Sequence, residues 1–455
     1  MRLKNVKFLF IFLFMFVLSL AIPKVASAVE YKPENMNDAK KQIQGAGDGD
    51  VIDLVNLYNK KEFKPGGNDF SSLGMINVNN NITIMSSDPK QAKYSIYPDE
   101  GARAVYISNI SLDIAKGKTL TMKGHLYLKG PEGKALISGE GNLYLKERMN
   151  LSGQNGYPAI DLPQGWVKIE NLMSYLGEDD TGVRLNYYSR IIGGDSTTHG
   201  ADAIHAKTVE VYQTNLDFKP YPNNVDRGLF IRGGHGLSNA AQGGYGINAE
   251  DNITIDLSGE KNDNSTFPVI SGGAGGYGNG AVIGTNIEIK CAGKEKIVSG
   301  NGVDLSVNEG KRKQFYYGTI EVKEGGKLDF ATKDFSNLND DDKLSMNSIV
   351  GGDRRYVDSN GNEASENFFT QKAWTNFYGP VILANGNASV NIHRGKFVDM
   401  GGNDRMPTGS QDSDFMLKLP HSPVIEMGSG LLNIGKTGQV DSIRLECGSH
   451  YFNTS

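Results

Sequence analysis

The strongest limit on how this chain can fold is an internal repeat. A small apolar pair, a polar gap and a segment of alternating apolar residues occur at Ala159-Ile160 with Val167 and Ile169, at Ala203-Ile204 with Val209 and Val211, and at Gly246-Ile247 with Ile253 and Ile255. The pattern returns at Val282-Ile283 with Ile287 and Ile289, at Val381-Ile382 with Val390 and Ile392, and at Val424-Ile425 with Leu432 and Ile434. A second element, an aliphatic or aromatic pair running into glycine, lies between the copies. It reads Ile191-Ile192-Gly193-Gly194, Phe230-Ile231-Arg232-Gly233 and Val269-Ile270-Ser271-Gly272, then Ile297-Val298-Ser299-Gly300 and Ile349-Val350-Gly351-Gly352. The steps from Ile160 to Ile204 and from Ile204 to Ile247 are 44 and 43 residues, which suggests two coils of roughly 22 residues per unit. The step from Ile247 to Ile283 is shorter, 36 residues, and a longer excursion spans residues 306–379.

Short apolar segments separated by glycine and asparagine, with no helical periodicity between them, cannot build an ordinary parallel sheet, because βαβ crossovers need helices. A solenoid avoids that requirement. Each coil returns the chain to a rung about 4.8 Å higher, like positions stack in ladders, and glycine takes the tight turns. The 57 glycines among 455 residues, well above the usual share of about 7%, suit that role, and 15 prolines are too few for collagen or proline-rich linkers. Asn-Gly pairs beginning at Asn155, Asn279, Asn301, Asn360 and Asn385 carry the competing reading, antiparallel hairpins in β-sandwiches. The solenoid accounts for more of the repeat, so the fold class is all-β.

A solenoid must cover the end of its core. Residues 33–45 read as one short amphipathic helix, with Met36, Ala39 and Ile43 on a common face and glycine at its end. The first strand, Val51 to Leu54, follows, and Asn81-Ile82-Thr83-Ile84, Leu112 to Ile114, Leu120 to Met122 and Leu126 to Leu128 supply opening rungs. With this helix, Gly47-Asp48-Gly49-Asp50-Val51-Ile52-Asp53-Leu54 and the Ile-Gly-Gly and Ala-Ile units, the chain resembles secreted right-handed parallel β-helix proteins of the pectate-lyase-like and adhesin-like superfamily over most of residues 34–440. The resemblance implies a right-handed parallel β-helix with an N-terminal capping helix. The organisation expected is a signal peptide at 1–28, a cap and first strand at 29–59, and the β-helix at 60–455 with its excursion around 306–379.

Arg2, Lys4 and Lys7 precede an apolar run from Phe8 to Ile22, and Pro23 and Ala26-Ser27-Ala28 follow. That is the arrangement of a secretory signal cleaved after Ala28, and the run is shorter than the roughly 20 apolar residues of a membrane span. Secretion, with retention at a cell surface as a variant, is the localisation this implies, and no membrane association is expected after cleavage. The first 28 residues carry four of the 47 basic residues and none of the 52 acidic ones, so the mature chain has a net charge near −9. Without a basic stripe interleaved with aromatics, nucleic acid is not an expected partner. Cys291 and Cys447 lie far apart in the chain, which favours two buried thiols over a bridge in a stacked body.

Gly234-His235-Gly236 looks like the Gly-His-Gly element of polygalacturonases. In that family the carboxylates for inverting hydrolysis sit in an Asn-Thr-Asp element and an Asp-Asp pair on neighbouring coils. Neither lies within the preceding coil here, and Asp179-Asp180 is 55 residues upstream of His235. Lyase chemistry would use a calcium cluster of carboxylates with an Arg or Lys base. Asp195, Asp202, Asp217 and Asp226, with Lys219, Arg227 and Arg232, supply the parts without fixing a common groove. His199 and His205 are spaced unfavourably for zinc. Asp358, Asn360 and Asn362 mimic a calcium loop, but glycine falls at the fourth position and Phe369 replaces the closing Glu.

Phe315-Tyr316-Tyr317, Tyr187-Tyr188, Phe218 with Tyr221, Phe368-Phe369 and the segment Trp374 to Tyr378 fall in or beside loops, where flat rings either pack in core ladders and turns or stack on sugar faces. The leading expectation is a secreted or surface β-helical adhesion or binding protein that contacts glycan, with no catalysis and no cofactor. The alternative is a polysaccharide lyase or glycoside hydrolase acting on acidic polysaccharide, with His235, Asp226 and Arg232 as its catalytic residues.

Overall fold

A computed structural model describes residues 28–57, 68–69, 74–87, 105–124, 126–172, 175–178, 184–187, 189–214, 229–238, 241–259, 269–273, 279–291, 297–298, 318–332, 348–351, 380–393, 395–399, 424–435 and 443–446. The fold is predominantly β. Among these residues are one α-helix, one short 3-10 turn, two parallel sheets of 17 and 11 strands, and one antiparallel pair, Tyr175–Glu178 with Arg184–Tyr187. The chain alternates between the two large sheets, an arrangement compatible with a parallel β-helix. No helix among the described residues is long and apolar enough to cross a membrane.

Side-chain alternation along each strand sends one set of residues inward, and parallel pairing stacks that set rung over rung. One ladder runs Ile76, Leu112, Ile137, Ile160, Ile204, Ile247, Val282, Ile320, Ile382 and Ile425. A second runs Ile82, Leu120, Leu143, Val167, Val209, Ile253, Ile287, Leu328 and Val390, and its last described position, Leu432, pairs with Val390 but is exposed. A third, in the 11-stranded sheet, carries Leu128, Leu151, Ile191, Ile231, Ile270 and Ile297, and the backbone pairing continues through positions 349, 397 and 445. Ile160, Ile204 and Ile247 are wholly buried, and each such side chain contributes roughly 1.5–3 kcal/mol by leaving water. The 17-stranded sheet turns a corner at the same place on successive rungs, where the register shifts between Leu162 and Trp166, Ala206 and Thr208, Asn248 and Asn252, and Gly284 and Asn286.

Several expectations are corrected. Ile283 does not join the ladder: Val282 pairs with Ile247, and Ile283 lies opposite Asn248 on the outer face, half-buried. Two adjacent branched residues must point to opposite faces, and the neighbouring rung selects which one turns inward. Ile160 and Ile204 are direct neighbours across one pairing, so each unit of 43–44 residues is one turn and not two. The shorter coil does exist earlier, from Leu112 to Ile137 to Ile160. Within residues 306–379 lies a full rung, the strand Ile320–Thr332, paired on both sides, together with Ser348–Gly351. The Asn-Gly pairs at Asn155, Asn279 and Asn385 do not make hairpins, and those at Asn301 and Asn360 lie outside the described residues. Asn155 (φ 48°) and Gly156 (φ 79°) sit in the left-handed region and turn the chain from Met149–Ser152 in one sheet to Ile160–Glu170 in the other.

The helix spans Met36–Gly45 with Ala39 and Ile43 buried, and Met36 packs partly against the core. Asn35 caps it, accepting from the Asp38 N–H at 3.0 Å. It ends at Gly45, the glycine expected, and the chain continues in extended backbone at Ala46.

Three successive rungs carry glycine-rich segments, residues 193–203, then 233–238 and 241–246, then 272–273 and 279–281. Their backbones hydrogen-bond within a rung, Ala201 N–H to Gly194 O and Gly244 N–H to Gly234 O, and across the stack, Gly234 N–H to Ala201 O and Gly273 N–H to Gly244 O, at 2.6–2.9 Å. Main chain meets main chain here without side chains between. A Cβ on Gly234 would strike the Gly194 carbonyl, and one on Gly273 the Gly234 carbonyl. Glycine is required at these positions for close approach, not for an unusual φ.

Candidate functional site

The glycine stack places two of the three predicted catalytic residues together. Arg232 closes the strand Phe230–Arg232, and His235 lies in the loop that follows. Both are buried. Arg232 Nη1 donates to His235 Nε2, Arg232 Nη2 lies 3.2 Å from Asp195 Oδ1, and the His235 backbone N–H donates to the same oxygen at 2.6 Å. Burial pushes the Asp195 carboxyl up, against the opposing pull of the Arg232 charge and the His235 N–H. The cluster ties segment 193–203 to segment 233–238. A histidine whose Nε2 accepts from a guanidinium cannot take a proton from a sugar hydroxyl with that nitrogen. The third predicted residue, Asp226, lies outside the described residues, as do Asp179, Asp180, Asp217, Lys219, Arg227, Asp358, Asn360, Asn362, Phe369 and Cys447.

A second polar cluster forms on the outer face near the corner. His205 stands in the strand Ile204–Tyr212, opposite Asp161 on one side and Asn248 on the other. Its Nδ1 is 2.8 Å from Asp161 Oδ1 and its Nε2 3.1 Å from Glu250 Oε1. The Asp161 hydrogen bond, reinforced by Glu250 and by the charges of Asp161 and Asp202, lifts the imidazole to a pKa of about 9 against the cost of burial. It is therefore an imidazolium at neutral pH. Glu250 is held low by His205 first and then by Lys323, whose Nζ is 3.0 Å from Oε2. Asp202, half-buried, accepts from Tyr245 N–H at 2.7 Å and Asn248 Nδ2 at 2.8 Å, yet burial still raises its carboxyl. Farther along, Tyr245 and Asn385 donate to the two oxygens of Glu321 at 2.8 and 3.0 Å. His199 sits exposed in the loop and is not part of this cluster's hydrogen bonds. No group of three metal-ligating side chains occurs among the described residues.

The third cluster is aromatic. Tyr144, Trp166, Lys168 and Tyr212 occupy outward positions on three consecutive strands, because each alternates with a buried ladder residue. Lys168 Nζ lies 5.4 Å from the Tyr144 ring centre and 5.3 Å from that of Tyr212, and Lys146 Nζ is 4.3 Å from Tyr144. The Tyr144 hydroxyl bonds Glu170, which also lies 3.5 Å from Lys146. Trp166 is 37% exposed at the corner, and its backbone N–H donates to Asn142 Oδ1 at 3.1 Å. Rings interleaved with ammonium and carboxylate groups can stack on a sugar face while hydrogen-bonding its hydroxyls.

Sequence reasoning missed these four residues by looking for aromatics in loops. The signal was period-two alternation, since Tyr144 lies between Leu143 and Leu145, and Tyr212 follows Val211. The aromatics expected at 187–188, 218–221, 315–317, 368–369 and 374–378 lie outside the described residues, except that Tyr187 ends a strand. No family model, no curated protein and no solved structure matches the chain.

Proposed function

We propose that this chain is exported after cleavage behind Ala28, folds as a right-handed parallel β-helix capped by the helix Met36–Gly45, and acts as a non-catalytic adhesion or binding rod for glycan. The observation that carries the binding reading is the outward patch of Tyr144, Trp166, Lys168 and Tyr212 on three successive rungs. At a rung spacing of about 4.8 Å the patch spans a length comparable to two sugar rings. Lys168, with Lys146 beside Tyr144, suits a glycan that carries carboxylate or sulfate as well as apolar ring faces. The non-catalytic reading is supported by how the histidines are engaged. His205 is an imidazolium clamped between two carboxylates, a poor base at pH 7 and a weak acid, and the Nε2 of His235 is occupied by Arg232.

The test is glycan-array binding by the chain from Val29 onward, with neutral and acidic polysaccharides. Trp166→Ala and Tyr212→Ala should each weaken binding about tenfold, as expected for loss of a stacking partner worth around 1.4 kcal/mol, while leaving the unfolding midpoint nearly unchanged. Absence of any bound glycan, or binding indifferent to both substitutions, overturns the reading.

One observation favours the lyase or hydrolase alternative: the raised, half-buried carboxyl of Asp202 lies close to the charge of His205. Release of reducing sugar or unsaturated uronide from an acidic polysaccharide, abolished by Asp202→Asn, would establish catalysis in place of binding.

A further inference from the structure

We infer that cleavage of the Ala28–Val29 bond creates an ion pair between the new Val29 α-ammonium and the carboxylate of Asp50, which fastens the strand Glu30–Tyr31 of the mature chain to the strand Val51–Asp53. The inference rests on the proposed export with cleavage after Ala28 and goes beyond it by giving the cut a structural consequence. The Val29 backbone nitrogen lies 2.8 Å from Asp50 Oδ1. The other oxygen, Oδ2, accepts the Gly47 N–H at 2.7 Å, so the loop Gly47-Asp48-Gly49-Asp50 wraps the carboxylate. Asp50 is only 6% exposed, while Val29 is 47% exposed and Ala28 is exposed at the surface.

The partners that hold Asp50 low, Val29 N–H first, then Gly47 N–H and the Tyr31 side chain, are all neutral groups in the uncut chain. A buried carboxylate is most stable beside a positive charge. Other charges around this strand already have opposite partners: Glu30 with Lys32 at 2.9 Å, and Asp48 with Lys118 at 3.4 Å. Hydrolysis supplies the missing cation at the required atom. Water adds across the amide, the Ala28 carbonyl carbon gains the hydroxyl and becomes a carboxylate, and the Val29 nitrogen leaves as an amine that is protonated at neutral pH. The position is held by independent contacts. Val51 N–H donates to the Val29 carbonyl at 2.9 Å, and Glu30 and Tyr31 pair with Val51 and Ile52. A cut elsewhere would leave either an extra residue between the ammonium and Asp50 or no Val29 nitrogen at all.

Pairing raises the α-amine above its ordinary range of about 7.7–8.0. The stabilisation is therefore complete below that range and is lost as pH rises through the raised value. Asp50, held low, stays ionised throughout this window. The experiment uses the full mature chain made with Val29 as its first residue, compared with the same chain carrying one additional Gly before Val29, each with Asp50 and with Asp50→Asn. The Gly-extended chain keeps the neutral N–H bond and moves the charge away. Expected is a higher unfolding midpoint for the Val29 chain at pH 6.5, a difference that disappears at pH 10 and in Asp50→Asn, and an α-amine that titrates above the ordinary range by NMR. Equal midpoints for the two N-termini with Asp50 intact, or an α-amine titrating in the ordinary range, overturns the ion pair. N-terminal sequencing of the exported product tests the cleavage separately. A terminus other than Val29 overturns that reading, whatever the midpoints show.

Discussion

Replacing His205 by Gln should destabilise the protein only where the imidazole is charged, and the structure sets the magnitude. A histidine raised from about 6.5 to about 9 carries, at roughly 1.4 kcal/mol per pKa unit, a ceiling of about 3.4 kcal/mol. Its side chain is 28% exposed, and those of Asp161 and Glu250 are 40% and 49% exposed, so solvent screening cuts the ceiling to about 1–2 kcal/mol. The folded value lies above the unfolded one. The contribution is accordingly complete below pH 6.5 and fades as pH rises through 9. Glu250, shifted in the opposite direction, is already ionised at pH 6, so it does not blur this window. Urea unfolding of wild type and His205→Gln at pH 6 and pH 10 measures the effect, with NMR following the ring. Expected is a deficit of about 1–2 kcal/mol at pH 6 that shrinks towards zero at pH 10, with a ring midpoint near 9. A midpoint near 6.5, or a deficit equal at both pH values, would refute the clamp.

Ile247→Ala removes a wholly buried ladder residue and should cost about 2–5 kcal/mol. Ile283→Ala, facing outward, should cost less than about 1 kcal/mol, and denaturant midpoints of the two variants separate the register found here from the alternative. Gly234→Ala drives a Cβ into the Gly194 carbonyl and should cost at least about 1–3 kcal/mol by thermal unfolding, because two backbones have no rotamer with which to yield. Asn35→Ala removes the helix cap and should cost about 1 kcal/mol, read as a lowered unfolding midpoint.

The inward ladders were legible because alternation identifies one face of a strand whatever its neighbours. Ile160, Ile204, Ile247, Ile382 and Ile425 stack as the repeat implied. Where two branched residues adjoin, as at Val282-Ile283, alternation permits either register, and only pairing with Ile247 decides. The strand Ile320–Thr332 was obscured because Gly325 and Gly326 interrupt its apolar alternation at the corner.

Polar clusters were the harder part. Asp161, His205 and Glu250 are separated by 44 and 45 residues, and nothing in their local sequence marks them as partners. Their meeting depends on the pairing register and on the corner that brings Glu250 back over His205. The same holds for Asp195 with His235, which are 40 residues apart. From the sequence alone come the β class, the glycine-dependent turns and the set of apolar residues available to the core, since these follow from side-chain volume and alternation within a few residues. Which residue of a pair faces inward, which charges become neighbours and which backbones touch were decided only by the stacking of distant rungs, because those contacts are made between segments whose separation along the chain carries no distance information.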